Sequence, residues 1–250
     1  MRRRQLWTGA GALVACASMT ACAAGRGSGP TPRRSTAPTI ADDGEWAALQ
    51  GLCDGIDPPD DAEREGHRER ARAALHEAEH GWLVLEPSAT MAYLSGVRWG
   101  RSERPFLLAL PRAGEPVWVV PAFEERTARE QLGDAARVRS WQEHDSPYAI
   151  LAEEIASRSD ASGTVAVEPE MRHFVVEGLT EVLGRERVVD GAALVQGLRM
   201  RKQPAELQRL RRANEATKAA LAMVFAAGLP DGIRQSELAE RVRGAQRAAG

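Results

Sequence analysis

The sequence predicts an α/β fold, a mixed central sheet flanked by helices, and three observations carry that expectation. Apolar runs of strand length at residues 82–85, 105–110, 116–120 and 164–167 are continuous rather than alternating, as in strands buried on both faces. From residue 123 to 189, helical periodicity alternates with such runs. Runs 105–110 and 116–120 are separated only by Pro111-Arg112-Ala113-Gly114-Glu115, a hairpin-like connection, so this pair is expected to be antiparallel in an otherwise alternating pattern.

The elements follow in chain order. Trp46, Leu49 and Leu52 suggest one short helix, closed by the turn Asp57-Pro58-Pro59-Asp60. Asp60 or Asp61 caps a helix running to about His80, with Gly81 as its stop. Strands follow at 82–85, 105–110 and 116–120. Residues 123–132 read as helix, 138–141 as strand, 148–157 as helix, 164–167 as strand, 171–183 as helix and 187–189 as a short strand. After Val195 the strands stop, and two helices follow at 204–227 and 235–249, which puts a domain boundary near Gln196. In the first of these, Pro204 sits where a first-turn proline is tolerated and Glu206 complements the helix dipole. Leu207, Leu210 and Asn214 form one face, with Arg209, Arg211 and Arg212 expected to point outward. Leu221, Val224, Phe225 and Leu238 are expected to need a covering surface.

Composition narrows the function classes. The 33 basic and 35 acidic residues leave a net charge of −2, which gives no electrostatic case for a nucleic-acid partner. Lys202 and Lys218 are the only lysines, and the abundance of arginine and alanine reads as codon bias of a GC-rich bacterial genome. The N-terminus reads as a targeting signal: a basic start at residues 1–4, then an apolar run at 6–19 too short to span a bilayer. It ends in Met19-Thr20-Ala21-Cys22, similar to a bacterial lipobox, which makes Cys22 the expected lipidated residue. Cys16, after Leu13-Val14-Ala15, fits the pattern too. Arg3-Arg4-Gln5-Leu6-Trp7 resembles a twin-arginine export signal. Residues 1–22 are therefore expected to be a lipoprotein-type signal peptide and 23–45 a flexible Gly- and Pro-rich tether, placing the protein in the bacterial envelope. Cleavage at Cys22 leaves Cys53 as the one further thiol, so no intrachain disulfide can form.

Two stretches could carry chemistry. His76-Glu77-Ala78-Glu79-His80 matches the zinc-peptidase pattern of two histidines one helical turn apart with a glutamate as general base. Glu79 adds a carboxylate to that turn, His80 falls at the helix end, and His67, His144 and His173 supply no evident third ligand, so the zinc reading is disfavoured. The second stretch is Tyr93-Leu94-Ser95-Gly96 with the polar loop 97–104. Trp99 offers a flat apolar contact, and Arg98 and Arg101 can pair with a carboxylate. Tyr93, Arg98, Trp99 and Arg101 are thus candidates for substrate binding or an inter-subunit contact. The alternative is an ordinary surface loop with Trp99 folded inward. No phosphate-binding glycine loop and no Gly-x-Ser-x-Gly elbow is present.

The order of these segments resembles the creatinase, prolidase and aminopeptidase P family. The helix at 67–79, Trp82-Leu83-Val84-Leu85, Met91-Ala92-Tyr93-Leu94-Ser95-Gly96, Pro105-Phe106-Leu107-Leu108-Ala109-Leu110 and the strand ending in Pro121-Ala122-Phe123-Glu124 match its N-terminal domain in order and spacing. Residues 198–207 and 229–238 resemble the start of its pita-bread (α+β) metallopeptidase domain. The resemblance covers roughly residues 62–250 and implies a creatinase-N-terminal-like domain at 46–196. Residues 197–250 would be the linker and first helices of an incomplete pita-bread domain.

The resemblance implies a homodimeric hydrolase of peptide bonds next to proline, with two divalent metals, manganese foremost, activating a water. The family's metals need two aspartates, a histidine and two glutamates from that second domain, and none can be carried over here. After Gln196 there is no histidine, Asp231 is the single aspartate, and Glu206, Glu215, Glu237 and Glu240 lie on its first two helices. No catalytic residue and no bound metal is therefore expected in these 250 residues, which read as a truncated frame or incomplete sequence, inactive alone. The non-enzymatic alternative is a lipid-tethered binding or dimerisation module.

Overall fold

The computed structural model describes residues 44–158 and 163–250, all within one compact unit. The expected signal peptide, Cys16, Cys22 and nearly all of the expected tether lie outside the described residues. Six strands form one sheet: β1 (His80–Leu85), β2 (Leu107–Pro111), β3 (Val117–Pro121), β4 (Arg137–Trp141), β5 (Thr164–Val167) and β6 (Val188–Asp190), in the order β4-β3-β2-β1-β5-β6. Strands β1 and β5, β5 and β6, and β3 and β4 pair parallel, while β2 is antiparallel to both β1 and β3. Every strand except β2 therefore ends at the same edge of the sheet.

The continuous apolar runs are buried on both faces. Leu83, Leu85, Leu108, Leu110, Trp118 and Val120 point to one core, and Trp82, Val84, Leu107, Ala109, Val117 and Val119 to the other. The period-two alternation makes this division unavoidable once the register is set. The first core is closed by α1 (Asp61–Glu77), α2 (Ala89–Ser95), α3 (Glu125–Leu132) and α6 (Ala192–Met200). The second is closed by α4 (Pro147–Ala156) and α5 (His173–Leu183).

The local signals explain most boundaries. The Asp60 carboxylate accepts from the Glu63 amide at 2.7 Å and starts α1, and the Ser88 and Ser146 hydroxyls cap α2 and α4 in the same way. The end of α1 corrects the sequence reading. The helix stops at Glu77, Ala78 is its cap, and Glu79 turns the chain at a φ of 56°. His80 is therefore the first residue of β1, not the last of the helix, and its Nδ1 meets the Thr164 hydroxyl at 2.8 Å. A left-handed residue ends the helix two positions before Gly81 can.

The C-terminal part is helical. Helix α6 crosses Gln196, where the strand pattern stops, and buries Leu194, Val195 and Leu198 against the sheet. Two helices follow, α7 (Pro204–Ala226) and α8 (Gln235–Ala249). In α7 the expected orientation holds for Arg211 and Arg212, which are exposed, but Arg209 turns inward to Glu63 of α1, and Leu207 and Leu210 are exposed. A bidentate ion pair outbids two leucines for the docked face of this turn.

The α7–α8 seam is not bare. Ala216, Ala220, Val224, Ala245 and Ala249 are buried, and Leu49 of a short 3₁₀ turn (Ala47–Leu49) and Trp46, which caps that turn, pack on these helices and are themselves buried. The Trp46 Nε1 lies 3.3 Å from where a Cβ on Gly244 would sit, and Glu45 pairs with Arg241 at 3.0 Å. Val224 is thus covered by the chain itself, while Phe225 stays exposed. No described helix is long and apolar enough to cross a membrane.

Candidate functional site

The shared carboxyl edge of β1, β3, β4, β5 and β6 gathers the groups that can do chemistry. In parallel sheets, ligands bind outside the carboxyl ends of strands because the connecting loops and helix starts converge there. Glu86 directly follows β1 and Glu168 directly follows β5. Both carboxylates are buried, at 0% and 3% exposure.

Glu86 is held by Arg172 at the start of α5. The Arg172 Nε and Nη2 donate to Glu86 Oε1 at 3.0 and 2.6 Å, and the Arg172 amide donates to Oε2 at 2.8 Å. Its remaining Nη1 donates to the Ser102 carbonyl, and the guanidinium stands over the Phe174 ring, 4.6 Å from its centroid. One arginine therefore satisfies a buried carboxylate and fixes the loop 97–104 above it. Glu168 Oε1 accepts the Glu86 amide at 3.2 Å. Burial pushes the Glu168 carboxyl up from its ordinary value, opposed by the Ser88 hydroxyl, the Glu86 amide and the Arg101 charge.

The loop itself is pinned at several points. Trp99 is half-buried and stacks on Phe106 at 4.5 Å with rings 17° apart, and Phe106 meets Trp118 edge-on. Of the two readings of this loop, the inward one describes Trp99. Arg101 is exposed, but its Nε donates to the Pro87 carbonyl at 2.8 Å, and the Trp141 indole donates to the Pro105 carbonyl at 3.1 Å. Arg104 pairs with Glu143 at 2.7 Å and lies over the exposed Phe123 ring. Arg98 is exposed; its amide donates to Gln131, and its guanidinium has no hydrogen bond among the described residues.

Tyr93 belongs to a different place. Its ring stacks on buried His67 at 3.9 Å, its hydroxyl accepts from Arg70 at 2.6 Å and donates to the Leu198 carbonyl at 3.3 Å. Burial pushes its phenol up, against the pull of Arg70 and with a further rise from Glu206. Tyr93 thus joins α1, α2 and α6 beneath α7 rather than joining Arg98, Trp99 and Arg101. His67 Nδ1 lies 2.8 Å from the Tyr93 carbonyl, an acceptor only, so that nitrogen carries the proton.

The histidine pair of the zinc pattern is not brought together. His76 stands in the exposed last turn of α1 while His80 pairs with Thr164 in the sheet. Among the described residues, no group of three or more His, Cys, Asp or Glu side chains could hold a metal ion.

Sequence reasoning missed Glu86, Arg172 and Glu168. A signal was available: Leu85-Glu86-Pro87 and Val167-Glu168-Pro169 repeat the same pattern, an apolar strand followed at once by Glu-Pro.

Residues 67–201 match the model of the Creatinase/Prolidase N-terminal domain. The chain belongs to the creatinase/prolidase N-terminal domain family. An uncharacterized peptidase of Schizosaccharomyces pombe is 32% identical over 187 residues, covering 69% of this chain and 40% of that protein. A probable dipeptidase PepE of Mycobacterium tuberculosis is 33% identical over 150 residues, 58% of this chain and 38% of that protein.

Among solved structures, dipeptidase PepE from Mycobacterium ulcerans aligns with a TM-score of 0.66 at 29% identity, over 78% of this chain and 52% of that one. Prolidase from Thermococcus sibiricus shares the fold, with a TM-score of 0.61 at 20% identity over 74% and 49%. The chain spans about two fifths of the length of these curated relatives and about half of these solved chains. The creatinase/prolidase N-terminal domain accounts for β1–β6 and α2–α6 and for most of α1.

Proposed function

We propose that these residues are the N-terminal portion of a metal-dependent peptidase acting next to proline, with the sheet domain positioning the loop 97–104 at a subunit or substrate interface. The observation that carries this reading is the family match over residues 67–201, together with a relative and a solved structure described as PepE dipeptidases. Helices α7 and α8 are read as the first elements of the catalytic domain. The two divalent metals would be held by that domain, and they would supply an activated water for attack on the peptide carbonyl. The residues described above would bind and orient. Arg98, whose guanidinium is exposed, is the residue free to contact a peptide carboxylate or a neighbouring subunit, with Arg101 beside it and Trp99 as the support beneath the loop. Attachment to the bacterial envelope through Cys22, and homodimer formation, complete the proposal.

On this reading the 250-residue chain does not cleave. The deciding experiment is an assay of an Xaa-Pro dipeptide and a longer Xaa-Pro peptide with added manganese. The expected result is no turnover, and measurable cleavage abolished by a chelator would overturn the claim that the ligands lie elsewhere. A chain extended to include two aspartates, a histidine and two glutamates should cleave the same peptides.

One observation favours a second reading, a tethered non-catalytic module. Trp46 and Leu49 already cover much of the α7–α8 seam, so those helices can persist without a larger domain. Sedimentation separates the two: a stable, monodisperse 250-residue protein favours the module, and aggregation through Leu207, Leu210 and Phe225 favours the peptidase.

A further inference from the structure

The chain leaves the adjacent ends of β1 and β5 in opposite directions, β1 through α2 towards β2 and β5 through α5 towards β6. Such switch points open a crevice in α/β sheets, and here a cavity of about 250 Å³ lies between the end of β5, the start of α2 and the last turn of α6. Its lining carries both charges, with Glu168 and Glu170 as acids and Arg199 and Lys202 as bases, beside apolar Val195 and Met200.

We propose that this cavity binds a small zwitterion carrying an α-ammonium and a carboxylate, with the ammonium on Glu168 and Glu170 and the carboxylate on Arg199 and Lys202. The inference stands on the charges of the cavity and does not depend on the peptidase reading.

The acidic and the basic groups both have hydrogen-bonding capacity to spare. Glu168 takes the Glu86 amide on one oxygen and the Ser88 hydroxyl, and a carboxylate has about four lone-pair sites. Arg199 commits one Nη to the Thr90 hydroxyl at 3.3 Å, and its other donors have no hydrogen bond among the described residues. Lys202 Nζ donates to the Arg199 carbonyl at 2.5 Å, leaving two ammonium hydrogens. The volume lies below the roughly 300–1,000 Å³ of pockets for drug-sized ligands, which suits one amino acid or a dipeptide. Met200, the most exposed large apolar side chain described here, offers contact to an apolar side chain at the mouth. A lining that carries both charges also disfavours a simple anion or a simple cation, since either would meet groups of its own sign.

The test is isothermal titration calorimetry of the 250-residue protein with L-leucine, L-proline and glycyl-L-proline, against N-acetyl-L-leucine and L-leucinamide. A free zwitterion should bind, and blocking either end should weaken binding about tenfold or more, the worth of one charge-assisted hydrogen bond. Glu170→Gln and Arg199→Gln should each weaken it to a similar degree. Glu170 is exposed and its change should leave the thermal midpoint unaltered, so it carries the test if Arg199→Gln perturbs the fold. Leucine or proline binding without the dipeptide assigns a free amino acid, and the reverse assigns peptide termini. No binding by any zwitterion at about 20 mM, or equal binding of the blocked compounds, overturns the proposal.

Discussion

Arg209 of α7 grips Glu63 of α1 with both ends of its guanidinium, Nη1 to Oε1 at 2.7 Å and Nη2 to Oε2 at 2.6 Å, while its Nε reaches the Asp57 carbonyl at 2.8 Å. This fork is the tie between the first turns of α7 and the start of α1. It also explains why Leu207 and Leu210 face solvent, since the helix can present only one side to its neighbour.

Arg209→Ala should therefore cost about 1 kcal/mol, the upper range for a partly exposed pair, because the geometry is bidentate. The pair also has a pH signature. The Arg209 hydrogen bond holds the Glu63 carboxyl below its ordinary value of 4.5. A carboxyl with a depressed folded value contributes stability that is full above the unfolded value and is lost as pH falls through the folded one. Urea unfolding between pH 6 and 3 should show the wild-type chain losing this contribution below about pH 4.5. Arg209→Ala should follow a shallower slope there, and parallel slopes would refute the assignment.

At the carboxyl edge, Arg172→Ala should be more harmful than Glu86→Gln. Removing the arginine leaves a carboxylate with 0% exposure and no counter-charge, a change worth about 3–5 kcal/mol. Glutamine in place of Glu86 keeps an acceptor for the Arg172 amide and leaves a guanidinium that is one-quarter exposed and can reach water. Its cost should be about 1–3 kcal/mol. Denaturation midpoints of the two variants decide the order, and a reversed ranking would refute the claim that the buried Glu86 charge depends on Arg172.

The sheet was legible because its strands are unambiguous. Residues 164–167 carry no polar side chain past Thr164, and the hairpin between β2 and β3 has room for little but an antiparallel return. What periodicity could not show is which of two competing forces orients a helix. The leucines of α7 suggested a buried face, yet the docked residue is Arg209, whose partner lies 146 positions earlier. The end of α1 was misplaced for a local reason: Glu79 adopts a left-handed conformation that glycine adopts more readily, so Gly81 drew the boundary too far. The buried edge carboxylates were hidden because a glutamate after a strand usually faces water. Only pairing across β1 and β5 brings Glu86 and Glu168 together.

Trp99 and Arg98 should behave in opposite ways. Trp99 is stacked on Phe106 above the first core, so Trp99→Ala should lower stability by about 2–3 kcal/mol, less than for a fully buried tryptophan. Arg98 has an exposed side chain, and Arg98→Ala should stay within about 0.5 kcal/mol. In a full-length peptidase, Arg98→Ala would then affect KM or dimer affinity without a shift in thermal midpoint. A stability loss for Arg98→Ala as large as that for Trp99→Ala would remove it from the list of contact residues.

Gly178→Ala tests the packing of α4 on α5. Alanine is favoured over glycine inside a helix by about 1 kcal/mol, and Gly178 lies well inside α5, so propensity alone predicts stabilisation. The structure predicts the opposite sign, because a Cβ at this position would fall on the ring of Tyr148, which is half-buried against the second core. The overlap involves the ring edge and cannot be relieved by rotating the end of a flexible chain. The expected net cost is about 1–3 kcal/mol. Replacing the ring removes the obstacle, so Gly178→Ala made in a Tyr148→Ala background should be neutral or stabilising. The two residues should therefore show a coupling of at least about 1 kcal/mol in a double-mutant cycle read by chemical denaturation. Additive effects would show that α4 can move away from α5 at no cost, and the contact would then not set the spacing of that helical layer.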